Sequence, residues 1–223
     1  MPRGAVPTRL FLLSPAHSGG KRAALLLREE AAFPLAVRLR APGGVALGEA
    51  FSFLSGLYFR GKLAYAVRFA RPPAGVAGVQ VITADRGLIA ADMPVGPAEL
   101  RAFGSVAIRP DDSRYRAPLV RDVARLAEHP GLELVLLGSV ATGRYVDVLL
   151  DVVGERLLFP TDFVGRGDMS RGALLLRSAR EGRELAYEPV AGALARLRPR
   201  TRGAANDGDQ RRRGSDPDSE GPQ

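Results

Sequence analysis

Short apolar runs alternate along the chain with longer stretches of helical periodicity, and this alternation sets the first expectations. Arg9 to Leu13 is an apolar run that stops at Ser14-Pro15, where a proline ends a strand. From Gly20 to Arg40 the spacing of Leu25, Leu26, Leu27, Leu35, Val37 and Leu39 predicts helix, divided by Pro34. Ala41 to Leu47 reads as a glycine-rich loop. Glu49 to Phe69 predicts one long helix, with Leu54, Leu57, Tyr58, Tyr65 and Phe69 near one face, Gly61 permitting close packing there, and Arg60, Lys62 and Arg68 on the remaining surface. Val79 to Thr83 is β-branched and strand-like, and Val106 to Arg109 suggests another short strand.

Pro118 at a helix start, followed by Leu119, Val120, Val123, Leu126 and Ala127 and closed by Gly131, predicts the next helix. Leu134 to Leu137 then forms a strand entering Gly138, and Tyr145 to Val153 a helix whose wet face carries Asp147 and Asp151. Arg156 to Phe159 is a strand ending at Pro160, Ala173 to Ser178 fits helix or strand, and Glu184 to Glu188 fits an edge strand. Strands alternating with helices predict an α/β fold: a mostly parallel open sheet with helices on both faces, in a Rossmann-like three-layer arrangement. The expected organisation is a flexible start over 1–8, one domain over 9–198, and a disordered tail over 199–223, where apolar residues cease.

Composition narrows the chemistry. With no cysteine, disulfides, thiolate metal sites and a cysteine nucleophile are excluded, and the two histidines, His17 and His129, are too far apart in sequence to suggest a histidine-rich metal site. No motif marks a metal site, and the identity of any cofactor is left open. Leu10 to Leu13 is too brief for a signal-peptide core or a membrane span, so a cytoplasmic location without membrane contact is expected. The net charge of +8 favours an anionic partner, and it lies within the domain: in the tail Arg200, Arg202, Arg211, Arg212 and Arg213 are balanced by Asp207, Asp209, Asp216, Asp218 and Glu220. Thirty of the 32 basic residues are arginine beside abundant Ala, Gly and Pro, which a GC-rich coding sequence also produces.

In an open parallel sheet, ligands bind beyond the carboxyl ends of the strands. Four polar, glycine-rich segments follow the expected strands: Ser14 to Arg22, Thr83 to Leu88, Gly138 to Tyr145, and Pro160 to Gly172. Glycines let backbone amides approach an anion while Ser, Thr, Lys and Arg donate around it. The expected ligand-binding residues are therefore Ser14, Ser18, Gly19, Gly20, Lys21, Arg22, Thr83, Arg86, Ser139, Thr142, Arg144, Gly165, Arg166, Gly167 and Arg171. His17, Asp85 and Asp168 are the candidates for proton transfer.

Each feature also has a plainer reading. Gly19-Gly20-Lys21 lacks the first glycine of a phosphate-binding loop, and Arg22 stands where Ser or Thr would hold magnesium. Gly165-Arg166-Gly167 is also ordinary turn punctuation, His17 an ordinary turn histidine, and Tyr58 and Tyr65 ordinary core. Asp85 and Asp168 fit helix caps or partners for Arg86 and Arg166 equally well, and His129 at a helix end is assigned no function.

In order along the chain, Leu12-Leu13-Ser14-Pro15-Ala16, Ser55-Gly56-Leu57-Tyr58-Phe59-Arg60-Gly61, Val81-Ile82-Thr83-Ala84-Asp85-Arg86-Gly87-Leu88-Ile89 with Asp92-Met93-Pro94, and Leu136-Leu137-Gly138 through Tyr145 carry a resemblance. Over residues 9 to 150 the chain resembles the YaaA-type peroxide-stress proteins and related bacterial and phage α/β proteins. Where that family has a lysine after Ser-Pro-Ala, this chain has His17. The resemblance implies a single α/β domain with a positively charged cleft, associated with DNA or with modified-base and nucleotide metabolism, and it assigns no catalytic residue.

The sequence thus predicts a nucleotide, nucleic-acid component or other phosphate-bearing ligand at the carboxyl ends of the strands. Two alternatives stay open: a small-molecule enzyme acting on a sugar phosphate or carboxylate, and a non-catalytic interaction module. Arginines converging in one pocket would favour a small ligand, and a stripe running beyond it a polymer. Oligomeric state is open.

Overall fold

A computed structural model describes residues 7–140 and 143–197. The expected tail, most of the expected flexible start, and Thr142 lie outside the described residues. The chain begins with β1 (Arg9–Leu13), all five residues of which are buried. Two short helices, α1 (Lys21–Leu26) and α2 (Pro34–Arg40), follow, then β2 (Val45–Ala46), α3 (Leu47–Ser55) and α4 (Leu57–Phe69). Next come β3 (Val79–Ile82), β4 (Leu88–Ala90), β5 (Pro94–Val95), α5 (Pro97–Ser105) and α6 (Ser113–Ala127). The described chain continues through β6 (Glu133–Leu137), α7 (Val146–Val153), β7 (Leu157–Pro160), α8 (Asp168–Glu181), β8 (Tyr187–Pro189) and α9 (Val190–Leu197).

Six strands form the main sheet in the order β4-β3-β1-β6-β7-β8. The inner four are parallel, with Phe11 level with Val79 on one side and Val135 on the other, while β4 and β8 close the edges antiparallel. The continuous apolar runs of β1 and β6 suit strands covered on both faces. Helices α4 and α8 pack together on one face and α6 with α7 on the other, which gives a three-layer α/β arrangement. Each fully buried Leu or Phe of these strands contributes about 1.5–3 kcal/mol. No helix among the described residues is long and apolar enough to cross a membrane.

Four local expectations are revised. The 49–69 segment is two helices, because Gly56 takes φ +66° and turns the chain between α3 and α4. Pro118 lies inside α6, whose start is capped by Asp112 accepting the Arg114 N–H at 3.0 Å. Val106–Arg109 is irregular and pairs with no strand. Lys62 is not surface: its residue is 1% exposed, whereas Arg60 and Arg68 face solvent.

At the amino end of the sheet, Arg9 bridges Glu133 and Glu184, Arg71 also pairs with Glu184, and the Tyr65 and Tyr187 hydroxyls meet at 2.5 Å. This network ties Glu184 and Tyr187, at the entry to β8, back to β1 and α4.

Candidate functional site

From β1 the chain moves to β3 on one side, then returns through α6 to β6 on the other, so its direction reverses between β1 and β6. Loops diverge at such a switch point and leave a crevice at the carboxyl edge. Here the two loops stay tight at their roots. The Ser14 N–H donates to the Leu137 carbonyl at 3.2 Å, and a Cβ on Gly138 would lie 2.9 Å from the Ser14 Cβ.

Above these roots lies a cavity of about 540 Å³. The β1 loop supplies Pro15 to Gly19, the loop after β3 supplies Thr83 and Ala84, the β6 loop supplies Arg144, and α5 with the irregular 106–109 segment supplies Phe103 and Arg109. No Asp or Glu is among these lining residues, and Phe51, Phe103, Val106 and Ile108 give the cavity an apolar flank.

The expected site residues divide among several places. His17, Ser18, Gly19, Thr83 and Arg144 share the cavity wall. Gly20 packs against the His17 ring, while Lys21 is exposed and Arg22 turns away to donate to the Phe53 carbonyl at 3.3 Å. Thr83 is fully buried, and its hydroxyl is committed to the turn, donating to the Gly87 carbonyl at 2.9 Å and accepting the Arg86 N–H at 3.2 Å. Arg86 lies 3.8 Å from both Asp85 and Glu99 and 5.7 Å from the centre of the Phe103 ring. One oxygen of Asp85 is buried without a hydrogen bond.

Beyond β7, Gly165, Arg166, Gly167 and Asp168 are exposed, with Arg166 reaching Ser170 at 3.2 Å. Arg171 is directed inward and donates twice to the Phe163 carbonyl, at 3.0 and 3.2 Å. Three of the four expected loops therefore share the cavity, and the fourth lies outside its wall.

Behind the wall is a second group that the sequence reading missed. Lys62 of α4 donates to the Ser14 carbonyl at 2.6 Å and to the Ser14 hydroxyl at 2.9 Å, and its ammonium lies 4.7 Å from the Tyr58 ring centre and 4.8 Å from that of Phe59. Burial lowers its pKa to about 7, a shift that Asp168 opposes. Burial pushes the Tyr145 phenol up, against a hydrogen bond with Ser14 and the neighbouring Ser139 backbone. Tyr58 is also raised by burial, with the charge of Arg171 and its loose approach to the phenol acting against the rise, and the hydroxyl makes no hydrogen bond of ordinary geometry. One signal for Lys62 was present in the sequence. In a chain with thirty arginines it is one of two lysines, and it stands among Tyr58, Phe59, Tyr65 and Ala66. An amine can lose its proton on burial where a guanidinium cannot.

Among the described residues no group of three or more His, Asp or Glu side chains gathers as a metal site. Comparison of the chain with protein-family models, with curated proteins and with solved structures finds no match.

Proposed function

We propose that this protein binds a small phosphate-bearing ligand of nucleotide type in the cavity at the carboxyl ends of β1, β3 and β6. The observation that carries the reading is the composition of that wall: Arg144 and His17 with no Asp or Glu among the lining residues, and Arg109 beside them braced by Asp111 at 2.7 Å, facing an aromatic and aliphatic flank. Cationic donors favour an anion, and the apolar side suits a planar or hydrophobic remainder. A long polymer is supported less, because several exposed arginines outside the cavity are paired with the chain's own acids, as in Arg38–Glu49, Arg114–Asp112 and Arg116–Asp151. Such pairs interrupt the positive stripe that backbone tracking needs. Proton transfer by His17 at this wall would extend the reading from binding to catalysis.

The test is a melting-temperature screen with nucleotides, sugar phosphates and short duplex DNA, since a ligand selective for the folded state raises the transition. Nucleotides should stabilise the wild type. Arg144→Ala and Arg109→Ala should each weaken binding about tenfold or more, the loss of a charge-assisted hydrogen bond being worth roughly 1.5–3 kcal/mol. If no phosphate-bearing compound shifts the transition, the proposal fails.

A further inference from the structure

Lys62 poses a problem that the fold alone does not resolve. An ammonium taken fully out of water is costly unless an opposite charge compensates it. Its hydrogen-bond partners are both on Ser14 and both neutral, and no carboxylate forms an ion pair with it among the described residues. Asp168 acts on it only at longer range, from a side chain that is 69% exposed. A buried lysine serving the core alone would be better replaced by an apolar residue of similar volume.

A second observation points to the same place. The Tyr58 residue is 8% exposed, yet its hydroxyl makes no hydrogen bond of ordinary geometry, and Arg171 of α8 acts on it only loosely. Native buried hydroxyls are overwhelmingly well paired, so one held this loosely beside a buried cation has hydrogen-bonding capacity left for an incoming group. Ser14 and Tyr145 complete the cluster, and their chain neighbours Pro15 and Arg144 line the cavity.

We propose that the ligand's anionic group seats against the hydroxyls of Ser14, Tyr58 and Tyr145 at the β1/β6 switch point, with Lys62 as the buried counter-charge behind them. This rests on the function proposed above and assigns the anionic end of the ligand to one place. Lys62 is thus a positioning residue, acting through Ser14, and binding is linked to its protonation. The groups facing it are Tyr58 and Phe59 of α4, Ser14 after β1, and Asp168 of α8. Tyr145 and Arg171 act on it through Ser14 and Tyr58. An anion about 6 Å away at an effective dielectric constant of about 20 raises the proton affinity of the amine roughly a hundredfold.

The chain has two lysines, Lys21 and Lys62, so ¹³C-lysine labelling yields a spectrum in which each can be followed. The Lys62 signal is assigned by its absence in Lys62→Met, and its titration is recorded without and with sulfate, which keeps its charge throughout. Backbone amides at Gly19 and Arg144 report occupancy of the cavity independently. Sulfate should raise the Lys62 midpoint, Arg144→Ala should need more sulfate for the same rise, and Tyr58→Phe should weaken sulfate several-fold. Cavity amides that move while the Lys62 midpoint stays fixed would overturn this inference and leave the cavity reading standing. Silence of both sets of signals toward sulfate and toward a nucleoside monophosphate would overturn the two together.

Discussion

Gly61 and Gly172 mark the closest approach of α4 and α8, and their substitution tests whether that approach is as tight as the coordinates require. A Cβ built on Gly61 lies 2.6 Å from the Gly172 carbonyl oxygen and 3.0 Å from its Cα. Ordinary contact is about 3.5 Å, so α8 must retreat by roughly 0.5–1 Å, because backbone cannot rotate away as a side chain would. A gap of that size forfeits a quarter to a half of the dispersion well for each contact across the interface. Overpacking of this kind costs about 1–3 kcal/mol, while alanine returns about 1 kcal/mol of helix propensity relative to glycine. Gly61→Ala should therefore be destabilised by up to about 2 kcal/mol. In urea, with a slope of about 2 kcal/mol/M, the midpoint should fall by up to roughly 1 M at unchanged slope. Gly172→Ala meets the same interface from the other side, 2.9 Å from the Tyr58 Cα and 3.0 Å from the Leu57 carbonyl oxygen. One separation of the helices relieves both clashes, so the double variant should cost less than the sum of the singles by about 1 kcal/mol. A stabilised Gly61→Ala, or strictly additive costs, would refute this account.

Two further outcomes follow from buried charge. Lys62 has a folded-state pKa of about 7 against an ordinary value of 10.5, so between those values the unfolded chain binds more protons and stability rises with pH. Urea midpoints across about pH 7.5–9.5 should climb by up to ~1.4 kcal/mol per pH unit in the wild type, and Lys62→Met should flatten the climb; an equally steep Met variant would refute the assignment. At the opposite end, burial tends to raise the Glu184 pKa, but Arg71 and Arg9 more than offset it and hold it below the usual range. Its stabilisation is thus present above the ordinary carboxylate pKa and lost as pH falls through the depressed one; Glu184→Gln, which strands two arginines, should cost about 2 kcal/mol near neutrality and less in acid, whereas a pH-independent cost would contradict the ion-pair origin.

What could be read from the chain was whatever its own neighbours determine. The apolar runs at Arg9–Leu13, Val79–Ile82, Glu133–Leu137 and Leu157–Pro160 are strands because a parallel sheet buries both faces, and the polar segments after them follow from topology. The break at Gly56 was hidden because Leu54, Leu57 and Tyr58 keep helical spacing across it, so periodicity saw one helix where the backbone makes two. Pro118 misled in the opposite way: a residue favoured in a helix's first turn lies five positions inside one, since Asp112 caps the start earlier. Lys62 was hidden for a different reason. On an amphipathic pattern a charged residue is assigned to water, and its burial depends on α4 lying against α8 and on the end of β1 receiving its amine, neither of which is local. The rim of the sheet was therefore legible, whereas the buried cation behind it required the fold. Its three-dimensional partners turn a residue that resembled surface into a buried amine whose hydrogen-bond partners are both neutral.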